Sequence, residues 1–315
     1  MNGPDVLLLD GLGEADRIRA AFDEHLPDVD LRVAEDPHGD DALATLGDTE
    51  VVLTFRFSDE HLAAAEELRW VQALNAGVDS YPLDRLTERD ISLTNSSGIH
   101  AEQMGQQVLG YLLVFERRIH EGIRQQHAGE WERYSGGELS DDTLGVVGLG
   151  AIGSRVGEYG KRMDMEVVGT KADPGTAPDC ADACYPPEEL DAVLDRADYL
   201  VVACPLNEAT EGLLGAEEFA RLDDGAVLVN IARGPIIDQD ALVDALDSGE
   251  IRGAALDVTD PEPLPEESPL RDRYDVVLTP HMAGSSPYYF DRAVELFAEN
   301  YEAFVAGEDL RNRIV

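Results

Sequence analysis

Residues 144–163, LGVVGLGAIGSRVGEYGKRM, decide how this chain is read. An apolar run, LGVV, leads into Gly148-Leu149-Gly150-Ala151-Ile152-Gly153, which fits G-x-G-x-x-G, and an amphipathic stretch follows. A strand that turns sharply into a helix uses this pattern for three reasons. The first glycine permits the tight turn, the second lets a pyrophosphate approach the backbone, and the third lets helix and strand pack closely. The helix start, at Ala151 and Ile152, offers unpaired peptide N–H groups and the positive end of the helix dipole to an anion. A glycine-rich turn without a ligand has the same letters, but the strand before it and the helix after it point to dinucleotide binding.

The same rhythm extends outward. Downstream, MEVVGT (165–170), YLVVAC (199–204), AVLVNIA (226–232), GAALDV (253–258) and VVLTP (276–280) read as strands, with helices filling the gaps. Upstream, VLLL (6–9), VVLTF (51–55), WVQAL (70–74) and ISLT (91–94) repeat the pattern, with a helix over 59–68. Met104, Val108, Leu112, Phe115, Ile119 and Ile123 recur at spacings of three and four. That predicts one long helix whose apolar face could serve a core or a dimer seam. DPEPLPEESP (260–269) is too rich in proline to be anything but a loop, and 288–306 reads as a final helix. Strand and helix alternating over 315 residues predict an α/β chain of two domains, each built on a doubly wound parallel sheet.

Sixty-five acids against 24 Lys plus Arg leave a formal net charge of −41. The acids are spread along the chain rather than gathered in a tail, which describes an acidic folded surface. Such a surface repels itself in dilute salt, whereas molar salt, with a Debye length of about 3 Å, screens it. The composition therefore predicts a halophilic protein of a salt-rich cytoplasm and argues against nucleic acid as a partner. No stretch approaches the ~20 apolar residues of a membrane span, and the opening MNGPDVLLLDG has no basic leader. Cys180, Cys184 and Cys204 read as small buried hydrophobes, and no metal site is expected.

Of the basic residues only Lys161 and Lys171 are lysines. Dinucleotide binding expects an acid about twenty residues past the first glycine, where it bonds the ribose hydroxyls. Here the second strand ends in Gly169-Thr170-Lys171, and the nearest acid, Asp173, comes two residues later. A hydroxyl and an ammonium suit the 2′-phosphate of NADP, which a carboxylate would repel. The alternative makes Lys171 an ordinary solvent lysine and gives the ribose to Asp173.

Further candidates fall at strand ends, where an open α/β sheet builds its site. NIARGPIID (230–238) puts Arg233 in a turn after a strand, GAALDVTDPEP (253–263) puts Asp257 at a strand end and Glu262 in the proline-rich loop, and LTPHMAGSS (278–286) puts His281 past another strand. A guanidinium can hold a carboxylate and polarise the neighbouring ketone. An imidazolium can protonate the forming alkoxide, and a carboxylate beside it favours the protonated ring and orients it. Singly, each has a plainer reading: Arg233 a surface ion pair, Glu262 a solvated loop acid, His281 a strand cap. Together, beside a dinucleotide fingerprint, they describe carbonyl reduction.

GLGAIG, NIARGPIID, ALDVTDPEPLP and TPHMAGSS, in this order and spacing, resemble the D-isomer-specific 2-hydroxyacid dehydrogenase family over essentially the whole chain. The composition is similar to that of haloarchaeal members. The resemblance implies two Rossmann-like or flavodoxin-like domains with a cleft between them: a substrate domain of residues 1–98 plus 284–315, and a dinucleotide-binding domain of 99–283. It implies a homodimer. It also implies reversible reduction of small 2-oxoacids to D-2-hydroxyacids by hydride transfer from NADPH, with NAD(H) possible; the stereochemistry comes from the resemblance alone. The family's catalytic arginine, glutamate and histidine match Arg233, Glu262 and His281, and its strand-end aspartate, on the nicotinamide amide, matches Asp257. NAGVDSYP (75–82) matches the substrate-carboxylate loop, with Asn75 and the peptide N–H groups of Ala76 and Gly77. ACPLNEAT (203–210) resembles the cofactor loop, with Cys204, Pro205 and Thr210; Ile231 and Gly284 complete the cofactor set. Phe55, Arg56, Tyr81 and Tyr288 are pocket candidates. Gly105-Gln106 departs from the family's usual Ala-Glu. Two alternatives stand beside this reading: a dinucleotide-sensing binding protein on the same fold, or an NAD-using phosphoglycerate- or formate-type dehydrogenase, with Arg56 and Arg85 as candidates for the phosphate.

Overall fold

A computed structural model describes residues 4–78 and 80–315, and the chain divides into two compact units, Met1–Ile99 with Ser286–Val315, and His100–Ser285. The first unit is built on five parallel strands: β1 (Val6–Leu9), β2 (Leu31–Ala34), β3 (Val51–Thr54), β4 (Trp70–Ala73) and β5 (Ser92–Thr94). Their order is β2-β1-β3-β4-β5. The all-apolar run of β1 is explained by burial on both faces: Val6 and Leu8 enter one core, Leu7 and Leu9 the other. The final helix, Tyr289–Ala306, belongs here because its stripe of Phe290, Ala293, Val294, Phe297 and Tyr301 has nowhere else to go. Phe297 stacks on the fully buried Trp70 with ring centroids 4.9 Å apart, and the Trp70 indole N–H donates to Thr94 Oγ1 at 2.8 Å.

The second unit carries β6 (Thr143–Val147), β7 (Glu166–Thr170), β8 (Ala183–Tyr185), β9 (Tyr199–Val202), β10 (Val227–Asn230), β11 (Gly253–Leu256) and β12 (Val276–Leu278). The order is β12-β11-β10-β9-β6-β7-β8, parallel throughout. The order reverses between β6 and β9, so the turn after β6 and the loop after β9 open a crevice at the carboxyl ends of the strands. That turn is the glycine-rich one.

Three expectations need correction. β2 and β8 were not anticipated, because at the sheet edges their residues are mostly half-buried and their LRVA and ACY lack a long apolar run. The helix expected over 59–68 stops at Ala64. The long helix is two, Ala101–Glu116 and Ile119–Ala128, although the apolar spacing runs straight through the break. Glu116 gives its carbonyl to the Gly137 N–H at 2.8 Å, and Arg118 takes a left-handed φ of 53°, which an α-helix does not tolerate. Beyond the break Ile119 and Ile123 are exposed rather than packed. Among the described residues no helix is long and apolar enough to cross a membrane.

Candidate active site

Each glycine of the fingerprint has a separate physical duty. Gly148 has φ +100°, and a Cβ there would lie 2.8 Å from Cys204 Cα, so the turn after β6 touches the loop after β9 directly. A Cβ on Gly153 would meet the Gly148 carbonyl at 2.1 Å, which forbids any larger residue. Gly150 is different: no protein atom lies within 4 Å of its would-be Cβ. Packing does not require a glycine there, so its smoothness serves whatever approaches from outside. The helix it opens, Ala151–Arg162, has no side-chain cap and no acid in its first turn. Every other α-helix among the described residues has an acid in its first turn. In a chain of 65 acids, this helix start carries none, which suits an anion. The residues fit a dinucleotide pyrophosphate.

Thr170 and Lys171 part company. The Thr170 hydroxyl accepts the Gly148 N–H at 3.1 Å and is buried, so it braces the turn against β7 instead of facing a phosphate. Lys171 sends Nζ to the Leu149 carbonyl, 2.8 Å away inside the glycine-rich turn, and no acid lies within ion-pair distance of it among the described residues. Lys161 is the opposite case: it pairs with Asp182, whose carboxylate also accepts the Val167 N–H, and so ties helix to sheet. Asp173 spends its carboxylate on the Gly175 N–H, starting the short turn Pro174–Thr176. In the loop after β9, Thr210 closes the turn by donating to the Pro205 carbonyl at 2.7 Å. Ile231 is buried after β10. Cys180 is buried as expected; Cys184 and Cys204 are only partly covered, and all three are free thiols.

The glutamate and histidine come together. His281 Nδ1 lies 2.8 Å from Glu262 Oε2, and Glu262 Oε1 accepts the Thr259 N–H at 3.1 Å. With the carboxylate as acceptor, Nδ1 carries the proton and Nε2 is left for other work. His281 itself sits at φ +49°, an uncommon region for a residue with a side chain. Arg233 is exposed, and no acid lies within ion-pair distance of it among the described residues, which removes the surface-ion-pair reading. Asn230 builds its turn: the amide donates to the Arg233 carbonyl at 3.0 Å and accepts the Ala232 N–H at 3.0 Å. Gly234, next in sequence, packs flat on the Thr259–Asp260 backbone, where a Cβ would meet the Thr259 carbonyl at 2.1 Å. The arginine turn and the glutamate loop therefore rest on each other. Asn230 lies inside the quoted motif, but its role depends on the turn and was missed.

Asp257 is buried and its carboxylate is heavily used, accepting the N–H groups of Met282 and Ala283, each at 2.9 Å. Gly284 lies beside His100 and gives its carbonyl to the Gln103 amide at 3.0 Å. The departure at Gly105-Gln106 has a local cause. A Cβ on Gly105 would press on the Tyr159 ring at 2.9 Å, and Gln106 donates to Glu102, which Tyr159 and Arg155 also bind. These bonds hold the Glu102 carboxyl down at about 2.

In the first unit the loop after β4 is laid out by its carbonyls. Those of Asn75, Ala76, Gly77 and Val78 accept from Ser96 N, Asn95 Nδ2, Asn75 Nδ2 and Tyr81 N. Among the described residues no bond uses the N–H groups of Ala76 and Gly77. Asp79 of this loop lies outside the described residues. Tyr81 is buried and hydrogen-bonds Asn75 Oδ1 at 3.0 Å, a brace rather than a pocket wall. Phe55 packs among Tyr289 and Phe290. Arg56 and Tyr288 are exposed, while Arg85 is taken by Asp59 at 2.6 Å.

Comparison with known proteins points to one family. The sequence profile described as "D-isomer specific 2-hydroxyacid dehydrogenase, NAD binding domain" matches residues 109–283. A glyoxylate reductase of Thermofilum pendens is 31% identical over 281 residues, 86% of this chain and 83% of that protein. The crystal structure of a D-isomer-specific 2-hydroxyacid dehydrogenase from Xanthobacter autotrophicus Py2, in complex with NADPH and MES, is 29% identical and superposes with a TM-score of 0.84, covering 99% of this chain and 98% of that one. An NADPH-dependent glyoxylate/hydroxypyruvate reductase from Sinorhizobium meliloti, in complex with NADP and sulfate, gives 26% identity and a TM-score of 0.83, with 98% of each chain covered.

Proposed function

The chain belongs to the D-isomer-specific 2-hydroxyacid dehydrogenase family, and from that premise we propose that it reversibly reduces small 2-oxoacids to D-2-hydroxyacids with NADPH. The observation that carries the reading is the His281–Glu262 pair, resting against the Arg233 turn on the unit that holds the dinucleotide cradle. A bound nicotinamide dinucleotide supplies the hydride. Arg233 takes the 2-oxoacid carboxylate and polarises the ketone. His281 gives a proton to the forming alkoxide from Nε2, while Glu262 holds Nδ1–H and stabilises the charged ring. The family resemblance also assigns the Ala76 and Gly77 N–H groups to the substrate carboxylate. Asp257 keeps acceptor capacity on Oδ2 for a carboxamide, since a carboxylate has about four acceptor positions.

The NADPH preference rests on Lys171, a cation beside the glycine-rich turn with no carboxylate competing for it. NADP-bound relatives support it; use of NADH is the alternative. Glyoxylate and hydroxypyruvate are the first substrates to try, because relatives carry those names. A phosphoglycerate-type substrate is disfavoured by the Arg85–Asp59 ion pair. We take the assembly to be a homodimer, in keeping with the exposed Ile119, Ile123 and Trp131, and its setting to be a salt-rich cytoplasm. NADPH oxidation in molar KCl against a panel of 2-oxoacids tests the activity. Turnover with none of them, with dinucleotide still bound, would leave the binding-protein reading.

A further inference from the structure

A hydrogen-bonded chain of three side chains, Asp257, Thr279 and Tyr111, runs behind His281. Asp257 wraps the residue: its carbonyl accepts the His281 N–H at 2.8 Å, and its carboxylate accepts the next two peptide N–H groups, those of Met282 and Ala283. This grip holds His281 in its left-handed conformation, which persists only when its surroundings enforce it. The carboxylate is in turn aimed by a hydroxyl, Thr279 Oγ1, which donates to Asp257 Oδ1. Behind that lies Tyr111, buried on the helix Ala101–Glu116, with its hydroxyl 2.5 Å from Thr279 Oγ1.

The polarity of the chain is forced. A carboxylate only accepts, so the single Thr279 proton goes to Asp257, and Tyr111 must donate to Thr279. A hydroxyl that accepts a bond becomes a better donor, so the three groups strengthen one another. We propose that Thr279, with Tyr111 behind it, is a positioning residue for His281, aiming the Asp257 carboxylate that fixes the two peptides after the histidine. The proposal rests on His281 being the proton donor. Neither residue touches the reacting atoms. Their effect is to hold the imidazole where transfer is fast, and a displacement of about 1 Å there can cost roughly 100-fold in rate.

Four variants, Thr279→Val, Thr279→Ser, Tyr111→Phe and the double Thr279→Val/Tyr111→Phe, decide it, with glyoxylate and NADPH as probes in molar KCl. Thr279→Val should lower kcat roughly 10- to 100-fold with the KM for glyoxylate within about threefold, because alignment rather than substrate binding is lost. Thr279→Ser restores the hydroxyl and should stay within about threefold of the parent. Tyr111→Phe, on a different element, should lower kcat by about three- to tenfold, and the double variant should be no worse than Thr279→Val alone, since the two act in series. Equal losses in Thr279→Val and Thr279→Ser would mean that packing, not the hydroxyl, matters; additive losses in the double variant would break the series. Either result overturns the proposal, as does unchanged kcat in Thr279→Val. Amide exchange at Met282 and Ala283 is read on the same variants and needs no turnover. Thr279→Val should speed it roughly five- to tenfold, the worth of a weakened hydrogen bond, and no change there overturns the relay even if the parent protein reduces no 2-oxoacid. Absent turnover with accelerated exchange would sink the enzymatic reading and leave the relay standing.

Discussion

Glu262 Oε2 and His281 Nδ1 lie 2.8 Å apart although 19 residues separate them, and the bond is made outside any regular element. It fixes which ring nitrogen bears the proton. His281→Ala should therefore lower kcat by about 10²- to 10⁴-fold, the usual worth of a general acid, and leave dinucleotide affinity within about twofold. Stopped-flow or steady-state reduction of glyoxylate beside a fluorescence titration checks both. Near-normal turnover would remove His281 from the mechanism. Glu262→Gln keeps the shape but loses the charge, and a smaller loss of roughly 10- to 100-fold is expected.

The glycines give a paired test of fold against function. Gly150→Ala adds a methyl where no protein atom lies within 4 Å. Its melting temperature should stay within a few degrees of the parent, while dinucleotide binding weakens by about tenfold or more as the methyl meets the pyrophosphate. Gly153→Ala drives a methyl into the Gly148 carbonyl and should cost about 1–3 kcal/mol of stability. Thermal unfolding without and with NADPH separates the two.

Lys171→Ala should weaken NADPH by roughly tenfold and leave NADH nearly unchanged, since only the former brings a 2′-phosphate for the ammonium to meet. Lys171→Asp should go further and reverse the preference. Titrations with both cofactors at the same salt concentration are required, because screening weakens the pair as salt rises. Equal loss for both cofactors would assign the lysine to bracing Leu149 alone.

His61 predicts a pH dependence of stability. It is buried, its Nδ1 accepts the Ser58 N–H at 3.1 Å, and Nε2 lies 3.1 Å from the Pro37 carbonyl, an arrangement only the neutral ring satisfies. Burial holds its pKa below the ordinary imidazole value. Between that lowered value and the ordinary one, the unfolded chain binds a proton that the folded chain does not, so stability drops as pH falls through the window. Asp142 acts the other way: its carboxyl is pushed up to about 6, chiefly by burial, and the folded chain gains from its protonation. The difference between the parent and His61→Gln isolates the histidine. Gln keeps the acceptor for Ser58 without titrating, so it should lose less stability on going from about pH 7.5 to 5. Parallel stability curves would remove His61 from the account.

A formal charge of −41 should make salt a condition of folding. The unfolding midpoint is expected to rise by roughly 10 °C or more between 0.1 and 2 M KCl as the repulsion is screened. An unfolding midpoint independent of KCl would contradict the salt-rich setting.

Much of this was legible in the chain itself. Runs such as VLLL and YLVV are apolar at every position because both faces of a central parallel strand are buried, and that local fact announces an α/β fold. GLGAIG announces its turn because only glycine meets a φ of +100° at Gly148 and a 2.1 Å approach at Gly153. What the letters could not carry depends on partners distant in sequence. The helix through Met104–Ile123 breaks because Gly137 takes the Glu116 carbonyl. Thr170 turns inward because Gly148 offers it an N–H, and Tyr81, a pocket candidate by its letters, bonds Asn75 within its own loop. The edge strands β2 and β8 exist by pairing with β1 and β7 rather than by their own hydrophobicity. Residue types and their local periodicity set the fold class and named the candidate groups. Which hydroxyl aims which carboxylate, and so how Tyr111 and Thr279 bear on His281, was decided only when residues 168 and 22 positions apart were folded into hydrogen-bond range, because such a bond exists only at short distance and correct angle.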